Sequence, residues 1–321
     1  MTGTDEISLI EIFASRFREA GADVRLGIGD DAAVTVMPAG EELVTATDAL
    51  MEGTHFPAGT DPRSVGHRSL AVNLSDLAAM GAMPRWATLA LSLPDGDSNW
   101  VDAFATGFAA VAGEFAVTLI GGDTVRGPLG ASVTLLGSVP AGTAVTRAGA
   151  QAGDRIFVTG VPGWAGAGCR IRLGMLEADH PDDYLACFEY PRPQVHFGLA
   201  LRGIASAMID VSDGLATDLG RLLAASGKGA SCAMPDLGRL GADFGDAEAT
   251  ALFLTGGEDY ELCFTVAPAD VERVSGLAQK QGLPLHEVGT VHDEAGLRWS
   301  RDGVEFELPA DGFSHFAETA H

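Results

Sequence analysis

Aspartates next to glycines, at the ends of apolar runs, are where this sequence concentrates its chemistry. Asp30 and Asp31 follow Gly27 and Gly29, Asp48 closes a β-branched run, and Asp76 lies in Asn73-Leu74-Ser75-Asp76. Asp123 follows Gly121-Gly122, and Asp210 and Asp213 bracket the end of another apolar run. Carboxylates brought close together raise one another's pKa unless cations lie between them. Hard divalent ions meet that need, because magnesium takes oxygen ligands and is commonly shared between a few carboxylates and substrate phosphates. The pattern points to a nucleotide held through metal bridges. Taken singly, any of these aspartates is as readily a helix cap or a turn residue. Asp95-Gly96-Asp97-Ser98 has no strand before it and is read as a cap.

The composition narrows the alternatives. Of 321 residues, 44 are Asp or Glu and 20 are Lys or Arg, a formal net charge of −24, which excludes a general nucleic-acid binder. Hydrophobic residues make up 46%, enough for a sizeable core, and the length suggests two domains. A Walker-type phosphate loop and a Rossmann fingerprint are both absent. The stretch from Gly160 to Gly168 has loop-to-helix character and is open to either phosphate contact or simple close packing. The first residues carry Asp5 and Glu6 rather than a basic region, and the longest apolar stretch, 104–120, is broken by Gly107, Gly113 and Glu114. The four cysteines show no Cys-x-x-Cys spacing. A soluble, cytoplasmic protein without disulfides or structural zinc is expected.

These residues need elements to position them. Apolar periodicity predicts helices over 7–20, 64–80, 100–112, 194–206, 215–225 and 268–281. It predicts strands over 42–47 (ending at Asp48), 117–120 (running into a Gly121–Thr124 turn), 131–139, 155–159, 207–211, 251–254 and 262–266. A linker of small and turn-forming residues follows Pro140, which places a domain boundary near Ala141.

Six blocks stand in series: Gly29-Asp30-Asp31-Ala32-Ala33; Thr47-Asp48 with Gly53-Thr54-His55-Phe56; Asn73 through Ala82; Gly121-Gly122-Asp123-Thr124; Asp210-Val211-Ser212-Asp213-Gly214; and Gly256-Gly257-Glu258-Asp259-Tyr260-Glu261-Leu262. In this order, over nearly the whole chain, they resemble the thiamine-monophosphate kinase family, within the superfamily of aminoimidazole ribonucleotide synthetase and selenophosphate synthetase. The resemblance implies an α+β, two-domain PurM-like fold. Residues 1–141 would form an α+β domain that binds ATP and Mg2+ and dimerises through its sheet, and residues 142–321 an α/β domain completing the nucleotide and substrate site. It also implies ATP-dependent phosphorylation of thiamine monophosphate to thiamine diphosphate, with ATP as co-substrate, several Mg2+ ions and a homodimer, and no nucleic-acid or membrane partner.

Carried over by position, Asp30, Asp31, Thr47, Asp48, Asp76, Asp123, Asp210 and Asp213 resemble the metal-binding residues, and Gly122, Asp123, Arg147 and Ser212 the nucleotide contacts. Asp48, Asp123 and Arg147 would carry catalysis, and His55, Glu258 and Phe313 would bind the acceptor. Ala46 stands where the family often has a hydroxyl residue, so a contact there would come from its carbonyl or from water. Two alternatives remain: another ATP-using member of the superfamily, and a non-catalytic acidic metal-binding protein. The cysteine pattern, beginning at Cys169, disfavours the selenophosphate synthetase and hydrogenase-maturation members of the superfamily.

Overall fold

The structure, a computed structural model, describes residues 6–17 and 21–308. Two compact units emerge, one of Met1–Leu77 and Ala82–Ala144, the other of Ala78–Gly81 and Val145–His321. The first unit contains α1 (Glu6–Arg16), a ribbon of β1 (Val24–Leu26) and β2 (Val34–Thr35), β3 (Glu41–Met51), α2 (Pro62–Ala79), β4 (Met83–Leu93), α3 (Ser98–Glu114), β5 (Thr118–Arg126) and β6 (Gly130–Pro140). Four of these strands form a sheet in the order β3-β6-β4-β5, in which only β4 and β5 run parallel. Leu89, Leu91, Val133 and Leu135 share one face of that sheet and are buried. Gly137 on β6 lies against Leu77 of α2 on that side.

Strands in this unit run further than periodicity predicts. β3 continues through Asp48 to Met51 because it pairs with β6 without interruption as far as Met51 opposite Gly130. Asp48 is therefore inside a strand and not at its end. β5 likewise passes through Gly121 and Gly122 to Arg126, so the expected turn at 121–124 is strand. A slip in register, with Ala87 opposite Leu119 and Thr88 opposite Gly121, places a bulge at Ile120. Glycine is needed at 122 for a packing reason: a Cβ there would stand 1.9 Å from the Leu89 carbonyl oxygen.

α2 and α3 meet backbone to backbone. A Cβ on Gly66 would lie 2.0 Å from the Phe104 carbonyl oxygen, and one on Gly107 would lie 1.9 Å from that of Arg63. α3 is started by Asp97, whose carboxylate accepts from the backbone N–H groups of Asn99 and Trp100, as the cap expected there requires. α1 packs on α3 through the edge-to-face pair Phe13–Phe104, with ring centroids 6.2 Å apart.

The second unit comprises β7 (Arg155–Thr159), α4 (Trp164–Arg172), α5 (Asp182–Glu189), α6 (Val195–Leu201), β8 (Ala205–Val211), α7 (Leu215–Ser226), β9 (Gly229–Ala233), α8 (Gly238–Thr255), β10 (Glu261–Val266), α9 (Val271–Gln281), β11 (Leu285–His292), β12 (Gly296–Arg301) and β13 (Val304–Phe306). Its seven strands are ordered β13-β12-β9-β11-β7-β10-β8, with β12 and β9 as the parallel pair. The run Ala251–Leu254, expected as a strand, is the last turn of α8, where Leu252, Phe253 and Leu254 are buried. A four-residue apolar run fits either element, and the preceding helix decides it here. Among the described residues no helix is long and apolar enough to cross a membrane, and the four cysteines are free thiols.

The glycine contact between α2 and α3 leaves no room for a methyl group. Gly66→Ala or Gly107→Ala should lower unfolding free energy by roughly 1–3 kcal/mol through overpacking. Chemical denaturation followed by circular dichroism measures this, and a change below 0.5 kcal/mol would show that the helices separate freely.

Candidate active site

Five candidate aspartates of the first unit fall in two groups. The glycine-rich segment before β2 and the bulged strand β5 border one cavity of about 530 Å3, and Asp30, Asp31, Gly121, Gly122, Asp123 and Thr124 all line it. Ile10 and Phe13 of α1 form part of its apolar wall. Asp30 folds its carboxylate back to accept from the Asp31 backbone N–H at 2.8 Å, which stiffens the turn. Asp31 and Asp123 remain exposed.

The second group joins β3 to α2. Asp48 and Asp76 are hydrogen-bonded through their side chains, an arrangement that needs a shared proton when no other positive charge is at hand. Burial raises the pKa of Asp48, while the bond to Asp76 and the nearby His55 ring pull it back down. The His55 Nδ1 accepts from the Met51 backbone N–H at 3.0 Å, which leaves Nε2 as the protonated nitrogen of the neutral ring. Thr47 is placed differently from its neighbour. Its hydroxyl bonds that of Thr134 on β6 at 2.9 Å, on the sheet face opposite Asp48, so the Thr47 side chain points away from that carboxylate.

The described residues hold no ready-made cage: no three His, Cys, Asp or Glu side chains converge closely enough to bind one ion. Neighbouring carboxylates repel one another when both are ionised, so they either stand apart or share a proton or a cation. The donors are all oxygen, with half-buried Asp48 and Asp76 and exposed Asp31 and Asp123, a set that fits a hard cation such as Mg2+.

In the second unit, Asp210 is buried near the end of β8, and the chain turns at Ser212 and Asp213. A residue that the sequence reading passed over holds this turn. The Asp218 carboxylate, 1% exposed, accepts from the backbone N–H groups of both Ser212 and Asp213 at 2.9 Å. Arg221 then bonds Asp218 at 2.7 Å and Asp213 at 2.5 Å, so the Asp213 carboxylate has a cationic partner already. Asp218 in the first turn of α7, with Arg221 three residues on, is the spacing that announces such a brace. Arg147 is exposed and has no ion-pair partner among the described residues. Phe313 lies outside the described residues.

The loop between α8 and β10 docks on the same turn. Glu258 donates its backbone N–H to the Ser212 carbonyl at 2.8 Å, and Tyr260 donates to that of Val211 at 2.7 Å. Glu258 and Tyr260 both adopt left-handed backbone conformations, at φ 63° and 51°, which side chains rarely tolerate. The Tyr260 hydroxyl donates to the Glu258 carboxylate at 3.2 Å and fixes where it points. Asp259 turns the other way, and both its carboxylate oxygens accept from the Gly163 N–H at 2.9 Å. The amino terminus of α4 is thus filled by the protein's own carboxylate, and the glycines of 160–168 serve close packing. Glu261 accepts from the Thr159 hydroxyl and from Gln194, and burial pushes its carboxyl up to about 7.

Comparison with known proteins gives the family of the chain. The AIR synthase related protein N-terminal domain matches residues 29–139, and the corresponding C-terminal domain residues 151–300. The thiamine-monophosphate kinase of Salmonella typhimurium is 42% identical over 319 residues, covering 97% of this chain and 98% of that protein. The chain belongs to the thiamine-monophosphate kinase family. A solved family member, the thiamine-monophosphate kinase of Stenotrophomonas maltophilia K279a, superposes with a TM-score of 0.85 at 42% identity, covering 94% of this chain and 98% of that one. AaThiL complexed with AMPPCP and TMP gives a TM-score of 0.74 at 29% identity, covering 97% of each chain. The hydrogenase maturation protein HypE in complex with ATP, at 19% identity and a TM-score of 0.75, shares the fold. The two-domain PurM-like α+β fold expected from the sequence is the fold of this family member.

Glu261 supplies a pH test of the second unit. Its folded pKa of about 7 lies above the model-compound value of 4.5. Between those values the unfolded chain has released a proton that the folded one keeps, so stability falls as pH rises from about 4.5 to 7. Glu261→Gln removes that dependence. It should be close to neutral at pH 4.5 and stabilise by roughly 1–3 kcal/mol at pH 8, read from denaturation at the two pH values. Equal effects at both would mean that the carboxyl titrates normally.

Proposed function

We propose that this chain transfers the γ-phosphoryl group of ATP directly to the phosphate of thiamine monophosphate, giving thiamine diphosphate, with several Mg2+ ions held by its aspartates. The observation that carries the proposal is the gathering of Asp30, Asp31 and Asp123 around one cavity, with the Asp48–Asp76 pair beside His55, in a chain 42% identical to a thiamine-monophosphate kinase over nearly its full length.

The acceptor is already a phosphate, with a second ionisation near pH 6, so no strong base is needed to activate it. The demand is instead to align two anions and to spread the charge of a loose transition state. When bound, Mg2+ would neutralise phosphate oxygens on both partners. Asp31, Asp48, Asp76 and Asp123 are the side chains suited to hold it, with Asp30 and Thr47 as neighbours. In the second unit, Asp210 and Asp213 are the side chains suited to the same role, with Asp213 also bonded to Arg221.

Exposed Arg147 supplies a fixed positive charge for ATP phosphates. Ser212 and the backbone at Gly122 and Asp123 serve the nucleotide. The acceptor is a thiazolium cation carrying an anionic phosphate. Glu258, braced by Tyr260, offers a carboxylate to the cation, and His55 Nε2–H offers a donor to a phosphate oxygen. Phe313 adds an aromatic surface for the ring. The open face of the first unit's sheet leaves Leu43 53% exposed and Thr45, Thr47 and Ala49 exposed with it, a surface suited to pairing two chains as a homodimer. A cytoplasmic location, where ATP and Mg2+ are plentiful, fits this set of roles.

Incubation with ATP, Mg2+ and thiamine monophosphate should yield thiamine diphosphate by chromatography, with ADP in equal amount. Cation binding without ADP release would make the protein a metal binder and not a kinase. Asp123→Asn should lower turnover by about 10²–10³ with an unchanged melting temperature, since Asp123 is exposed; wild-type turnover would remove Asp123 from the metal set. Mg2+ should also displace the proton shared by Asp48 and Asp76. Calorimetric Mg2+ titrations in buffers of different ionisation enthalpy should therefore reveal proton release that vanishes in Asp76→Asn.

A further inference from the structure

α2 does more than carry Asp76. Arg68, two turns earlier on the same helix, is 1% exposed, and a guanidinium taken so fully from water needs strong acceptors. Its Nη1 donates to the backbone carbonyl of His55 at 2.9 Å. The segment it grips also makes backbone bonds within itself and to strand ends. Gly53 N–H donates to the Phe56 carbonyl at 2.8 Å, His55 N–H to that of Met51 at 2.9 Å, and Glu52 N–H to that of Leu129 at 3.0 Å. Phe56, 3% exposed, anchors its far end. Within this segment the ring orientation depends on the Met51 N–H reaching His55 Nδ1, which in turn depends on where the His55 backbone sits.

We propose that Arg68 is a positioning residue for acceptor binding: through the His55 carbonyl it fixes the backbone that aims the imidazole, so that Nε2–H is presented as a single directed donor to the acceptor's phosphate. The inference rests on the reading of His55 as an acceptor contact. Eight residues along α2 separate Arg68 from Asp76, about 12 Å of helix. One rigid element thereby sets the distance between the acceptor's donor and a carboxylate of the proposed metal site. Loss of the grip affects the acceptor and leaves the nucleotide alone.

The test combines kinetics with spectroscopy. Arg68→Lys keeps the charge but not the reach of the guanidinium fork. It should raise KM for thiamine monophosphate about tenfold while kcat and KM for ATP stay within about twofold. Arg68→Met should do the same more strongly if it folds. His55→Ala should raise the same KM, and Arg68→Lys should add nothing in that background, because the arginine acts through the histidine. In the unmutated protein, ring nitrogen shifts of His55 should report a protonated Nε2 and an accepting Nδ1, and Arg68→Lys should move them towards a tautomer mixture. An Nδ1-protonated ring in the unmutated protein, additive effects of the two substitutions, or an Arg68→Lys enzyme with unchanged KM and ring shifts would overturn the proposal. An unchanged acceptor KM in His55→Ala would instead remove the reading of His55 on which it stands.

Discussion

Asp48 on β3 and Asp76 on α2 stand within hydrogen-bond reach of each other, in a chain whose net charge is already −24. Two ionised carboxylates cannot rest in that position unless a positive charge joins them. Burial raises the Asp48 pKa, which favours a proton as that joint, while the bond to Asp76 and the nearby His55 oppose the rise. The same geometry offers a divalent cation two oxygen ligands at once, and this is the constraint around which the proposed chemistry turns. Stability and ligand binding pull in opposite directions here: the fold holds together groups that repel, and the ligand's arrival relieves the repulsion.

Such an arrangement works only if the two elements cannot drift apart. α2 is locked at Gly66 and Gly107, where the absence of two side chains lets it touch α3 backbone to backbone, and it lies against β6 where Leu77 meets Gly137. β3 is held along its whole length by β6. In the second unit the corresponding stiffness is polar. Asp218 holds the backbone of Ser212 and Asp213, Arg221 ties both carboxylates, and the left-handed residues of the 257–260 loop are pinned by hydrogen bonds to the end of β8. Strained backbone of this kind persists only where its surroundings over-determine it, and it aims Glu258.

The proposed reaction explains which residues the site does without. Joining a phosphate nucleophile to a nucleoside triphosphate asks for charge neutralisation and alignment, not for a nucleophilic side chain or a strong base. The cysteines accordingly sit as free thiols, and burial holds those of Cys187 and Cys232 in their protonated form, at about 11 and about 12. Histidine enters as an oriented donor, its proton placed on Nε2 by the Met51 amide.

Much of this was legible in the linear sequence. The acidic blocks, their order, the helices around 64–80 and 215–225 and the strands at 155–159 and 262–266 follow from residue type and local periodicity, which depend on neighbours a few positions away. The extent of β3 and β5 did not, because a strand ends where its partner ends and pairing is long-range. Nor did the helical state of Ala251–Leu254, since four apolar residues satisfy either period. The site divides along the same line. The sequence by itself determined that oxygen ligands are abundant and lie beside flexible glycines. Tertiary structure alone decided that Asp48 meets Asp76, that Thr47 faces away from both, that Asp259 caps α4, and that Asp218, Arg221 and Arg68 hold the loops. Those are contacts between residues distant in sequence, and a side chain's partner is fixed by where the backbone brings it, not by its own chemistry.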